Sequence, residues 1–208
     1  MKNFDIVAPF YDGLSHFIFG SRLGDIQKCL IPYVKPFSRI LILGGGTGFL
    51  LDEISKIHKG GLAITCLDNS EKMIGLSKRR YWAMNNVEFV LCDIKEYQWE
   101  SDYFDIVFTP FFLDCFDEES LRIIVPGILQ SLRRGGRWLH ADFVCKNCCS
   151  LTGKMMHRLM YYFFRFACNI KASSLVPLDP FLIGVNLIGA FSDSNNFTEA
   201  MIWEKISD

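Results

Sequence analysis

An apolar run, Arg39-Ile40-Leu41-Ile42-Leu43, stops at Gly44-Gly45-Gly46-Thr47-Gly48, and a helical pattern opens directly after it. Glycines at such a strand end tolerate positive φ and let a ligand approach the backbone closely. Asp68 ends the next apolar run, about 20 residues on, and is followed by Asn69. An acid at that spacing accepts hydrogen bonds from both hydroxyls of a ribose. Its bland alternative is a helix cap, but Ser70 is available for that role. Asp93 follows a third apolar run, in Leu91-Cys92-Asp93-Ile94, where a carboxylate can accept from an exocyclic amine such as that of adenine; a turn or cap residue is the alternative. The loop lacks the Gly-Lys-Ser/Thr of a phosphate-binding P-loop, since Phe49 and Leu50 follow Gly48. Counted from Gly46, the third glycine of a nicotinamide-binding fingerprint is replaced by Phe49. With no basic residue in the loop, a cofactor with ribose and adenine but without phosphates fits best.

These residues need a frame. Short apolar runs at 39–43, 62–67, 87–91, 104–108 and 137–143 alternate with helical patterns at 50–58, 70–82 and 118–132, the last broken or kinked near Pro126-Gly127. Strands this apolar are buried on both faces, as in a parallel sheet. Their alternation with helices predicts right-handed crossovers and a doubly wound α/β sheet. Before the sheet, residues 1–36 form a helical N-terminal cap, with one amphipathic helix expected over Ile18–Ile31. After the core of residues 37–143, the segment 144–208 breaks the alternation: an aromatic-rich helix over Leu151–Ile170, a shorter helix over Leu178–Leu187, and a last strand over Phe197–Ile206. Asn195-Asn196 is a tight-turn signal, because Asn tolerates positive φ, and makes the last pair antiparallel. No linker interrupts the 208 residues, so one domain is expected.

Composition narrows the functions. A formal net charge of −1 carries no signature of a nucleic-acid binder, which needs a basic face. Nineteen phenylalanines point to an aromatic core or to a greasy pocket or interface. Cys29, Cys66, Cys92, Cys115 and Cys168 sit in apolar runs, and Met1–Phe10 does not read as a signal peptide, so a cytoplasmic protein with free thiols is expected. The Cys145–Cys149 cluster lacks the second close pair of a zinc site, and no metal is expected. Lys154, His157, Arg158 and Arg165 make 151–170 too polar to span a bilayer. Met156, Leu159, Met160 and Phe163 share one helical face, which packs on the sheet or serves a hydrophobic acceptor or membrane surface.

The ordered set of blocks resembles the class I S-adenosylmethionine-dependent methyltransferases, most closely the ubiquinone/menaquinone-biosynthesis-like group. Ile40–Gly48 is similar to that family's first motif, Leu67–Ile74 to its acidic loop, Phe89–Ile94 to its adenine loop, Phe104–Pro110 to strand four, and Leu132–Leu139 to the turn into strand five. Phe4-Asp5 through Tyr11-Asp12 resembles the opening segment in which a tyrosine approaches the cofactor. The resemblance implies a Rossmann-like, seven-stranded, mostly parallel sheet. It implies S-adenosylmethionine as cofactor and a small-molecule acceptor. Gly44, Gly45, Gly46 and Gly48 would form the loop under the methionine and ribose, and Asp68 would hold the ribose. Asn69 and Met73 would pack on adenine, with Asp93 on its amine and Ile94 against its ring. Thr109 and Phe111 would flank the methyl group, and Tyr11 would close over it. Ile42 stands where the family often carries an acid. No general base is assignable: His16, His140 and Asp114 each have a bland reading. An aminopropyltransferase using decarboxylated S-adenosylmethionine, or a non-catalytic cofactor- or partner-binding module, stand as alternatives. The acceptor and the oligomeric state are not read from the residues, although a homodimer through the aromatic tail is compatible with them.

Overall fold

The computed structural model describes residue 5 and residues 8–144, 176–194 and 196–206. Phe4, the Cys145–Cys149 cluster, the helix expected over Leu151–Ile170 and Asn195 lie outside the described residues. Strands β1 (Arg39–Leu43), β2 (Gly60–Asp68), β3 (Met84–Leu91), β4 (Phe104–Pro110), β5 (Leu132–Phe143), β6 (Val185–Ser192) and β7 (Thr198–Lys205) make one sheet, ordered β3-β2-β1-β4-β5-β7-β6. The first five pair in parallel, whereas β7 runs antiparallel to both β5 and β6. This is the doubly wound, mostly parallel sheet expected, with antiparallel last strands.

The apolar runs are strands because both faces are covered. In β1, Ile40 and Ile42 face the helices α2 (Arg22–Lys28) and α3 (Phe49–Ile57), while Leu41 and Leu43 face α5 (Glu118–Ser131). Such period-two alternation with apolar residues on both sides is what a central parallel strand requires. The chain winds from β1 to β2 and β3, then crosses to the other side of β1 to form β4. A crevice therefore opens beyond the carboxyl ends of β1 and β4, the place where open α/β sheets bind ligands.

Four expectations are corrected. The helix expected over Ile18–Ile31 is two helices, α1 (Tyr11–Phe19) and α2, because Gly20 turns at φ 63° between them. The helix expected over 70–82 is the shorter α4 (Glu71–Ser77), whose end tightens into three-residue bonds from Arg79 N–H to Leu76 O and Arg80 N–H to Ser77 O. Pro126 does not break α5, which is held by the burial of Leu121, Ile124, Val125 and Ile128. The helix expected over 178–187 is a single 3-10 turn, Asp179–Phe181, followed by β6; Gly184 at φ 73° ends the turn, and β6 gains its hydrogen bonds only by pairing with β7. No helix among the described residues is long and apolar enough to cross a membrane.

Candidate functional site

The glycine loop is tied down from beneath. Gly44 and Gly45 N–H both donate to Leu67 O, at 2.9 and 3.2 Å, which fixes the end of β1 against the end of β2. Gly44, Gly46 and Gly48 adopt φ of 68°, 53° and 81°, so side chains there would be strained. Gly45 is closed for another reason: a Cβ on it would stand 2.2 Å from Cys66 Sγ. Burial pushes that thiol up to about 12, so it is a packing group and not a nucleophile.

Asp68 is buried at 8% exposure and is not left free by the Ser70 cap. Its Oδ2 accepts from Gly46 N–H at 2.9 Å and its Oδ1 from Ser70 N–H at 2.9 Å, while Ser70 Oγ in turn accepts from Met73 N–H and caps α4. Burial raises the Asp68 pKa, and backbone N–H groups from Ser70, Gly46 and Asn69 oppose the rise. Each carboxylate oxygen retains a second lone pair. Asp68 thus joins the glycine loop to α4 and still lines the groove.

The groove is a cavity of about 90 Å³ that widens into a cleft of about 460 Å³ beside α1; the two share Tyr11, Gly44, Gly46, Pro110 and Phe111. Of the residues singled out above, Tyr11, Gly44, Gly46, Asp68, Asn69, Met73, Ile94 and Phe111 line the inner cavity. Gly45 lines only the cleft, and Gly48 is the residue before α3, tight against Ser77. Asp93 sits beside the cavity between two lining residues, Cys92 and Ile94, and its Oδ1 accepts from Lys95 N–H at 3.1 Å. Thr109 is fully buried in the sheet, bonded to Trp138 Nε1 and His140 Nδ1, and does not reach the groove.

The turn after β4 supplies wall residues that sequence reasoning missed. Phe111, at φ 50° with its N–H on Ala141 O at 2.7 Å, swings the chain so that Phe112, Cys115 and Phe116 face the groove. Their signal was visible only as an aromatic run. The N-terminal cap is latched over the loop: Thr47 Oγ1 donates to Asp12 Oδ1 at 2.6 Å, and Arg80 bonds both Asp12 and Thr47 O. That latch sets Tyr11 at the mouth. His16 is exposed in the outer cleft. Ile42 is fully packed in the core and offers the groove nothing. Among the described residues no group of three His, Cys, Asp or Glu side chains could hold a metal ion.

The groove therefore offers one carboxylate, backbone N–H groups, the Asn69 side chain and otherwise apolar walls. Among the described residues no basic side chain lines the inner cavity, so none of them offers phosphates a partner there. A nucleoside carrying an uncharged or cationic tail fits this donor set.

The comparisons with known proteins agree. Residues 40–136 match the methyltransferase-domain family. The ubiquinone/menaquinone biosynthesis C-methyltransferase UbiE of Vibrio vulnificus is 32% identical over 145 residues, covering 67% of this chain and 55% of that protein. The chain thus spans about half the length of such curated relatives. Among solved structures, the methyltransferase in a complex with the Haloferax volcanii Trm112 methyltransferase activator matches with a TM-score of 0.73 at 13% identity, covering 100% of this chain and 99% of that one. A Burkholderia thailandensis 1,6-didemethyltoxoflavin-N1-methyltransferase, solved with its substrate and S-adenosylhomocysteine, matches with a TM-score of 0.63 at 15% identity, over 98% and 86% of the two chains. The structural likenesses speak for the fold alone.

Proposed function

From this class I methyltransferase core, similar to the ubiquinone/menaquinone-biosynthesis group, we infer that the chain transfers the methyl group of S-adenosylmethionine to a small apolar or aromatic acceptor. The observation that carries the reading is Asp68: a buried carboxylate at the end of β2, clamped to the glycine loop and open to an otherwise apolar groove. The cofactor supplies a methyl group activated by positive sulfur. The protein has to align and shield, and orientation alone can lower such a barrier by several kcal/mol.

In this reading Asp68 accepts from the ribose hydroxyls, with Gly44 and Gly46 leaving backbone room beside it. Met73 and Ile94 sandwich the adenine, Asn69 packs on its edge, and Asp93 at the rim takes the amine. Gly45 and Gly48 shape the loop without touching the ligand. Phe111 and Tyr11 close the methyl end against water, and Thr109 acts behind them as a positioning residue. The relatives named above are C-methyltransferases of ubiquinone/menaquinone biosynthesis, which supports carbon as the acceptor atom. The reading includes a cytoplasmic setting, on the free thiols Cys29, Cys66, Cys92 and Cys115. It includes no nucleic-acid partner, on a net charge of −1. The single domain of residues 1–208, with its cap at 1–36, belongs to the same proposal.

Two alternatives differ in one residue each. An aminopropyltransferase would present an acid from the turn after β4, yet Asp114 lines a different cavity. A non-catalytic binding module is allowed by Ile42 and by the unassigned general base. Calorimetry with S-adenosylmethionine, S-adenosylhomocysteine, decarboxylated S-adenosylmethionine and NAD decides among them. Micromolar binding of the first two, lost in Asp68→Ala, is expected; preference for the decarboxylated form, or binding of none, overturns the reading.

A further inference from the structure

The groove lies at the carboxyl ends of the parallel strands. At their amino ends is a cavity of about 300 Å³, near the lower end of small-molecule pockets. Arg39 enters it as the first residue of β1, Asp105 from the start of β4, and Arg133 and Arg137 from the start of β5, while Lys35 comes from the loop before β1. The ladder is irregular there. Pairing of β4 with β5 passes from Phe104↔Leu132 to Ile106↔Arg137, so residues 133 to 136 bulge out opposite Asp105. Gly135, at φ 70°, lets the chain make that bulge.

Charge is gathered in this place. Lys35, Arg39, Arg133 and Arg137 line the cavity against one acid, Asp105, in a chain whose overall net charge is −1. Asp105 is 12% exposed and positions two of the cations. Its Oδ2 accepts from Arg39 N–H at 2.6 Å, and its Oδ1 lies 2.6 Å from Arg133 Nε. The Tyr103 ring backs the Arg39 guanidinium at 4.4 Å. Arg137 is also fixed: its Nε donates to Glu204 Oε2 at 3.2 Å and its Nη1 to Tyr33 O at 3.3 Å. No carboxylate among the described residues pairs with Lys35. With Glu204 counted, two positive charges remain in excess. Each guanidinium carries five N–H donors, more than one carboxylate accepts. A concave wall of one sign focuses its field and draws the opposite ion.

One apolar group stands at the rim. Phe37 is held at φ 62°, a conformation that is costly for a bulky residue, and is 82% exposed. Its ring lies over Gly61, where a Cβ would come within 2.8 Å of it. A ring fixed in water beside a cationic cavity presents a surface for the organic part of an anionic ligand.

We propose that this cavity binds the phosphate monoester of a small organic molecule, with Lys35, Arg39, Arg133 and Arg137 around the dianion and Phe37 against the organic group. Such a phosphate carries about −1.5 to −2 charges at neutral pH, which matches the excess of positive charge. Its oxygens suit the planar fork of arginine. The length of the strands separates this site from the groove, so it is a site apart from those of cofactor and acceptor and does not rest on the methyltransferase reading.

The test uses the full chain at low ionic strength, where such contacts are least screened. Calorimetry at about pH 7.5, above the second phosphate pKa of roughly 6, compares phenyl phosphate with phenyl sulfate, a monoanion of the same shape. Phenyl phosphate should bind about tenfold more tightly, as an added charge-assisted contact provides. Lys35→Gln and Arg133→Gln should each lose about tenfold, and Phe37→Ala about threefold. Arg134→Gln, next in the chain but outside the cavity wall, should stay within about twofold of wild type. Saturating S-adenosylhomocysteine should leave phenyl phosphate binding unchanged. Sedimentation with phosphatidylcholine vesicles that contain phosphatidic acid tests whether a lipid headgroup is the source of the dianion, and no capture is expected. Equal binding of the sulfate, equal losses in Arg133→Gln and Arg134→Gln, displacement by S-adenosylhomocysteine, no binding, or capture by the vesicles in place of phenyl phosphate overturns the proposal. An unchanged affinity in Phe37→Ala strikes the organic group from it. The wild-type comparison of phosphate with sulfate decides even where a variant fails to fold.

Discussion

Asp68 is the last residue of β2 and Asp142 the last but one of β5, at 8% and 5% exposure, and burial raises the pKa of both. They differ in what surrounds them. Both accept two backbone N–H groups, Asp68 from Gly46 and Ser70 and Asp142 from Phe143 and Asp114, and at Asp68 the Asp5 carboxylate is the least of the causes that act on the pKa. At Asp142 the carboxyl of Asp114 is the second cause after burial. An acid surrounded by backbone donors is built to organise a loop and accept from a ligand. An acid beside another acid has its charged form further disfavoured. Burial is the largest cause at both, and the neighbouring carboxyl, second in weight at Asp142 and last at Asp68, sets the two apart.

The largest effect should come from breaking the first of the pair. Asp68→Ala removes the anchor of Gly46 together with the proposed ribose contact, and S-adenosylhomocysteine affinity should fall at least about a hundredfold, or ~2.7 kcal/mol. Asp68→Asn, which still accepts one N–H, should lose about tenfold. Calorimetry checks both, and an unchanged affinity in Asp68→Ala would remove the functional half of the contrast.

Next in size is the pH response of the second region. His140 has a folded-state pKa pushed down to about 4. Its contribution to stability is full above the ordinary histidine value of roughly 6.5 and is lost as pH falls toward 4. Wild type should therefore lose about 2 kcal/mol relative to His140→Gln between pH 7 and pH 5, measured by urea denaturation. Parallel pH curves for the two proteins would show that the ring is not buried as described.

Asp142 titrates the other way. Its pKa is raised, so its contribution is full below the ordinary carboxylate value and declines as pH rises through the raised one. Asp142→Asn should gain in stability on wild type as pH rises from 5 to 8, while binding S-adenosylhomocysteine within twofold of it. A matching loss of cofactor affinity would merge two regions that are kept apart here.

The smallest effect belongs to the latch. Asp12→Asn weakens a partly exposed ion pair with Arg80 and should cost only a few tenths of a kcal/mol in stability. Its sharper readout is cofactor affinity, expected to fall about threefold as Tyr11 loses its fixed place; a larger loss would make Asp12 part of the site itself.

Much of the first region was readable from residues alone. The β1–loop–α3 passage depends on local facts: an apolar run, glycines where positive φ is required, and a helical pattern after them. Asp68 was placed by its position at a strand end, although its bonds to Gly46 and Ser70 were not foreseen. The second region resisted reading for a physical reason. Thr109, Trp138 and His140 lie on two strands that are 29 to 31 residues apart in the chain and become partners only through the parallel register Val107↔Trp138 and Thr109↔His140. Likewise β6 has no alternating pattern of its own, since as an edge strand it has one neighbour and leaves Leu187 and Ile188 exposed.

The amino-acid sequence by itself determined the order of the first five strands and the helices between them, the doubly wound class and the glycine-acid frame of the groove. Backbone conformation and apolar burial along one stretch of chain suffice for those. Only the tertiary structure decided that Thr109 faces the core, that Phe112, Cys115 and Phe116 wall the groove, and that His140 and Asp142 line a second cavity. Each of these depends on which face of a strand or turn meets which neighbour, and that is settled by pairing across the sheet.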